Sequence, residues 1–253
     1  MALGTADANP AIAALVGELG ATLLWGGQSV GFRPVQLRVG DAHRGMTVEL
    51  LEPWATKRRD FLVRFLDRHG DGPHHLTFKV KDFDAALDAV VASGRTPFGV
   101  ERSDPTWLEA FVVPGEAFGT VVQIAQSDHG DFADEFAVSA REGPHGNPMW
   151  WKQPPPRAAE TAELRRVVLR TDARADAEAF FGGVLGGQVA ATADSATELV
   201  WSGGGRVLLE DSPDGSGIDR LELAGPAPPR TIAGARFVGT ATESASDRGA
   251  AGR

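Results

Sequence analysis

The chain predicts an α+β fold made of repeated βαβββ modules, paired into curved mixed sheets around a cleft and grouped into about two domains. Two observations carry this. First, one phrase recurs three times: a short apolar strand, an Asp, an amphipathic helix and a Gly. The Asp-to-Gly spacings are 13 (Asp7 to Gly20), 12 (Asp82 to Gly94) and 14 (Asp172 to Gly186). Second, each copy is followed by apolar segments alternating at a period of two and bounded by Gly or Pro, which read as strands. A lone βαβββ unit leaves one sheet face bare, and two placed side by side bury it.

In the first unit, Met1 to about Pro53, the helix ends near Gly20. ATLLW, FRPVQLRV and MTVELLE follow as strands, with Pro53 as the stop. WATKRRDFLVRFLDRHGDG then reads as a connecting helix with Phe61, Leu62, Phe65 and Leu66 on one face. The second unit opens with HLTFKV, has Asp82 as helix N-cap, and continues through TPFGV, TWLEAFVV and TVVQIAQ. Residues 127–160 turn acidic and then rich in Pro and Gly, the composition of a linker anchored by Trp150 and Trp151. The acidic run Asp128–Glu135 reads as a solvated face, and His129 and His145 lack ligand spacing. The third unit, Arg165 to Asp211, repeats the pattern through QVAATAD, ATELVW and RVLLED. IDRLELAG and IAGARFV form a remnant without a helix. The expected division is 1–126 for paired modules, 127–160 for the linker, 161–240 for a degenerate module plus remnant, and 241–253 for a disordered polar tail.

Composition narrows the function classes. A net charge of −9 argues against nucleic acid or an anionic membrane as main partner. With no cysteine, any metal must use His, carboxylate or amide ligands. No run of 18 apolar residues and no basic leader followed by an apolar run is present, so the expectation is a cytoplasmic protein acting on a small molecule, with a homodimer open.

Gly72-Pro73-His74-His75-Leu76-Thr77-Phe78, followed by Asp82 and a helix, resembles the start of the second module in the vicinal oxygen chelate superfamily. That group holds glyoxalase I, methylmalonyl-CoA epimerase, extradiol dioxygenases and bleomycin-resistance proteins. TWLEAFVVPGEAFGTVVQIAQ is similar to that module's last two strands, and the epimerase-like branch is nearest in look. The resemblance implies four positions facing one cleft around a divalent metal (Zn, Mn, Co or Fe). Carried over, they give Glu49, His75 and Gln123, and the fourth falls immediately before Met1.

The residues agree in part. Glu49 and Gln123 sit among aliphatics in apolar strands, where an inward polar group needs a partner or a metal. His75 shares a mixed face with Thr77 and Lys79, while His74 faces the other side. Glu109 is a candidate general base, weighed against a solvent-facing strand residue. Arg33 is a candidate clamp for a substrate carboxylate or phosphate, weighed against a surface arginine. Trp107 is a pocket liner or a core residue. The positions of the third unit that match the ligands, Arg165 and about Val207, bind no metal. The leading expectation is a metal-dependent isomerase, epimerase or lyase acting on a small carbonyl or acyl substrate through an enolate-type intermediate. The alternatives are a metal-free drug-binding module and an extradiol-type dioxygenase.

Overall fold

The computed structural model describes residues 1–41, 43, 45–57, 59–127, 150–225 and 227–240. Most of the expected linker, including Asp128–Glu135, His129 and His145, and the tail 241–253 lie outside the described residues. The first unit folds as β1 (Ala2–Gly4), α1 (Ala8–Gly17), β2 (Thr22–Gly26), β3 (Gly31–Arg38) and β4 (Thr47–Trp54). After α2 (Phe61–His69) come β5 (Gly72–Lys79), α3 (Phe83–Ala92), β6 (Phe98–Glu101), β7 (Trp107–Val112) and β8 (Val121–Ser127). Asp7 and Asp82 cap α1 and α3 by accepting from the amides of Asn9 and Ala85 at 3.0 and 2.9 Å. The eight strands form one mixed sheet in the order β2-β3-β4-β1-β5-β8-β7-β6. β1 runs parallel to β4, antiparallel to β5, and β5 runs parallel to β8, so the two modules meet along β1 and β5.

The second sheet has seven strands. β9 (Glu163–Thr171), α4 (Arg174–Glu178), β10 (Gln188–Ala193), β11 (Ala196–Val200) and β12 (Arg206–Asp211) make a third module. β13 (Gly217–Ala224), β14 (Arg230–Ile232) and β15 (Ala235–Gly239) follow without a helix. The order β10-β11-β12-β9-β13-β15-β14 repeats the first sheet's order with one strand fewer.

Three local expectations are corrected. β4 continues through Pro53 to Trp54 instead of stopping at the proline. The third Asp caps nothing: Asp172 accepts from the Ser216 hydroxyl, and Ala173 stands at the start of α4. The third helix is not uniform either, because it widens into a π-helical turn over Ala179–Val184, where Gly182 and Gly183 lower the cost of irregular backbone.

The sheets share one interior. Leu3, Leu37 and Leu50 of the first sheet, with Ile12 and Leu15 of α1, cluster with Leu164, Leu221, Leu223 and Phe237 of the second. Leu76, Val122 and Ile124, with Phe83 and Val90 of α3, cluster with Val167, Leu169, Phe180, Phe181 and Leu209. Trp151 is buried in the first cluster, and Trp150 donates to the Pro34 carbonyl at 3.3 Å. Gly119 marks how closely the halves approach. Its φ is +76°, and a Cβ there would collide with the carbonyl of Ser216.

Candidate functional site

Strand alternation divides the first sheet into a face packed on the shared core and an open face. Leu50 of β4, Leu76 and Phe78 of β5, and Val122 and Ile124 of β8 point to the core. Their neighbours Glu49, His75, Thr77 and Gln123 therefore point the other way. Register draws them level: Ala2 pairs with both Glu49 and His75, Thr77 pairs with Gln123, and Gln123 pairs with Phe111. α2 covers part of this face through Leu62, which packs on Ala2 and Leu51.

The polar side chains on the open face are tied into two groups. In the first, Gln36 donates from Nε2 to Glu49 Oε1 at 2.9 Å. The Met1 amino group donates to the Thr47 carbonyl at 2.7 Å and lies close enough to Glu49 for their charges to interact. Burial raises the Glu49 carboxyl above its ordinary value, opposed by the Gln36 bond and the Met1 charge and aided by the Glu109 charge. Burial lowers the Met1 amino group to about 6, with Glu49 opposing.

In the second group, Thr77 Oγ1 donates to Gln123 Oε1 at 2.6 Å, and Gln123 Nε2 donates to Glu109 Oε2 at 2.7 Å. Trp107 Nε1 donates to the same Oε2 at 2.8 Å. Both bonds fall on one carboxylate oxygen, so Oε1 of Glu109 has no hydrogen bond among the described residues.

His75 lies between the groups. It is buried, and its Nε2 has no hydrogen-bond partner among the described residues. Its Nδ1 stands 2.8 Å from Nδ1 of His74. Burial drives the His75 imidazole well below its ordinary value, with the neighbouring His74 and Met1 adding to the effect and the Gln123 side chain opposing it. Burial alone takes His74 to about 4. Aromatic rings flank the pair: His74 meets Phe61 and Phe65 at 5.3 and 4.8 Å, and His75 meets Phe111 at 6.4 Å. Among the described residues no three His, Asp or Glu side chains stand close enough together to hold one ion.

The structure thus gathers Glu49, His75, Gln123, Glu109 and Trp107 on one face. It does not bring Arg33 to them. Arg33 lies on the opposite face, paired with Glu52 and stacked between Trp54 and Trp150 at 4.6 and 4.2 Å. Glu52 also accepts from the Ala8 amide at 2.7 Å, so Arg33 serves the start of α1. Gln36 and Thr77 were missed by sequence reasoning. Their signal was their register opposite Glu49 and Gln123 on neighbouring strands.

The second sheet differs on its corresponding face. Arg165 is exposed but pairs with Glu163 outside this face's ion-pair lattice, and Val207 is no part of it either. Val207 points into the core, and the outward residues are Arg166, Arg206, Leu208 and Glu210. Instead of a donor cluster, this face has a lattice of ion pairs. Arg166 meets Glu222 and Glu198 at 2.6 and 3.3 Å, Arg206 meets Glu198 at 3.5 Å, and Arg220 meets Glu210 and Glu222 at 2.6 and 2.8 Å.

Residues 1–111 match the family model described as Glyoxalase/Bleomycin resistance protein/Dioxygenase superfamily. No curated protein matches the chain. Among solved structures, a triple mutant of 4-hydroxymandelate synthase from Streptomyces coelicolor is similar at 17% identity and a TM-score of 0.55, covering 88% of this chain and 69% of that one. Methylmalonyl-CoA epimerase from Mycobacterium tuberculosis is similar at 23% identity and a TM-score of 0.44, covering 51% of this chain and 85% of that one. The family match thus covers the first sheet through most of β7, and the similarity to the synthase extends the likeness in fold to both sheets.

Proposed function

We propose that the open face of the first sheet is the active site of a metal-dependent enzyme acting on a small carbonyl or acyl substrate by proton transfer. The observation that carries this reading is the buried, unpartnered Nε2 of His75, on the same open face as the half-buried Glu49, with Ala2 in register between them. An apolar site leaves such a nitrogen unsatisfied at a cost of about 1–3 kcal/mol, and a cation removes that cost. The 2.8 Å contact between the two histidines needs one proton. Placed on His75 Nδ1, it leaves Nε2 as a bare lone pair, the form that ligates metal. Glu49 adds a carboxylate, and the Gln123 amide oxygen, engaged on one lone pair by Thr77, has a second to offer. These donors fit a divalent ion, which when bound supplies positive charge to neighbouring substrate oxygens. Glu109, held by Trp107 and Gln123 on one oxygen, has the other to accept a proton.

A second reading, a metal-free binding module, is favoured by the lack of any three His, Asp or Glu side chains grouped for an ion among the described residues. The two separate by metal content. The purified chain is dialysed against Zn, Mn, Co or Fe(II) and analysed by mass spectrometry, alongside His75→Ala and Glu49→Gln. About one equivalent, lost in both variants, supports the enzyme. No retained metal in the parent chain overturns it. Deuterium exchange from solvent into a panel of 2-oxo acids and acyl thioesters then identifies the substrate class.

A further inference from the structure

The lattice on the outward face of the second sheet does not balance. Among the described residues, five guanidiniums (Arg166, Arg170, Arg206, Arg220, Arg236) meet four carboxylates (Glu198, Glu210, Asp219, Glu222) there, a surplus of one positive charge.

The surplus gathers at Asp219. Arg170 Nη1 and Arg236 Nη1 both reach its Oδ1 at 3.2 Å, and Arg220 Nη1 reaches its Oδ2 at 2.8 Å. One carboxylate cannot neutralise three cations. Arg220 is satisfied twice over, because Glu210 and Glu222 also hold it. Arg170 and Arg236 have only Asp219 among the described residues, and both share its one oxygen Oδ1. Their side chains are 47% and 58% exposed, while Asp219 is 10% exposed. Two forks with most of their N–H donors unspent therefore stand at the surface over a nearly buried acid.

We propose that Arg170 and Arg236 form a seat for a small oxyanion group, a phosphate or carboxylate on a small molecule, bridged between the two guanidiniums above Asp219. Planar guanidinium donors bind such groups by paired, charge-assisted hydrogen bonds. Asp219 fixes both forks in place, which lowers the ordering cost of binding. The anion removes the surplus charge. The seat lies on the sheet without the donor cluster and is independent of the metal site proposed above.

The test titrates pyrophosphate and, separately, succinate into the full chain by calorimetry at low and physiological salt. The parent chain is compared with Arg170→Ala, Arg236→Ala and the double Arg170→Lys/Arg236→Lys variant. Arg165→Ala is the control, since Arg165 is 51% exposed and among the described residues pairs only with Glu163. Saturable one-site binding, weakened at least about tenfold by either alanine and by the double lysine variant but not by the control, supports the seat. The lysine variant keeps the charge, so its loss reads the fork geometry and not folding. The stronger of the two anions names the group. The proposal is overturned if neither anion binds saturably, or if Arg165→Ala weakens binding as much as Arg170→Ala. His75→Ala leaves anion binding unchanged, which separates this result from the fate of the metal site.

Discussion

Gln123 donates its amide to the carboxylate of Glu109 at 2.7 Å while its oxygen accepts from Thr77 at 2.6 Å. The orientation of the amide follows from chemistry. An ionised carboxylate can only accept, so Nε2 must face Glu109 and Oε1 must face the hydroxyl. Thr77→Val keeps the shape and removes the donor. It is expected to lower stability by about 1–3 kcal/mol in urea denaturation, because a buried amide oxygen loses its partner. An unchanged midpoint would mean that the oxygen is satisfied elsewhere.

Arg33→Ala leaves Glu52 buried with the Ala8 amide but without its cation. The expected loss is about 3 kcal/mol, since breaking one partner of a buried pair strands the other. Circular dichroism and chemical denaturation read this directly. Metal content should not change, because Arg33 lies on the face away from Glu49 and His75.

His74 gives a pH dependence whose sign can be worked out. Its folded value is about 4, against 6.5 for an exposed imidazole. Between those values the unfolded chain holds more protons, so lowering the pH through that window favours unfolding, and the trend levels off below it. At about 1.4 kcal/mol per unit the contribution is about 3 kcal/mol across the window. His75 is shifted in the same direction. Denaturation midpoints from pH 7 to 4 should fall, and His74→Phe, which preserves the ring contacts with Phe61 and Phe65, should flatten the fall.

Phe181 is fully buried between the sheets, against Phe78 at 5.6 Å and Phe118 at 5.8 Å. Phe181→Ala should cost about 3–5 kcal/mol. The informative readout is Trp107 on the first sheet, followed by fluorescence in a variant with the other tryptophans replaced by Phe. Its transition should move together with the far-ultraviolet signal of the whole chain.

Much of this arrangement was legible in the sequence, for identifiable reasons. The period-two signal placed each candidate on a face of its own strand, His75 with Thr77 and Lys79, while a shared side for Glu49, His75 and Gln123 was what the family resemblance implied. The Asp caps of α1 and α3 announced their helices. What was hidden depends on contacts between distant segments. Arg33 looked like any arginine beside a cleft, and only the third dimension put it against Glu52 and Trp150. In β9, whose pairing with β13 is broken by two bulges, a fixed offset from the helix pointed to Arg165, one residue away from the outward-facing Arg166. Thr77 carried no sign of its role, because a threonine in a strand is ordinary until its neighbour across the ladder is a glutamine.

The two large apolar clusters draw on both sheets at once, with Leu3 and Leu50 meeting Leu221 and Phe237 in one, and Ile124 and Phe83 meeting Phe181 and Leu209 in the other. Apart from the small cluster of Ala2, Leu51 and Leu62 under α2, neither half has an interior of its own. A genetic screen for loss of the activity proposed for the face carrying Glu49 and His75 would therefore return substitutions in β9, β13 and β15, on the other sheet. Residues with no chemistry of their own would look indispensable, and their phenotype would report the abundance of folded protein instead of a step in the reaction.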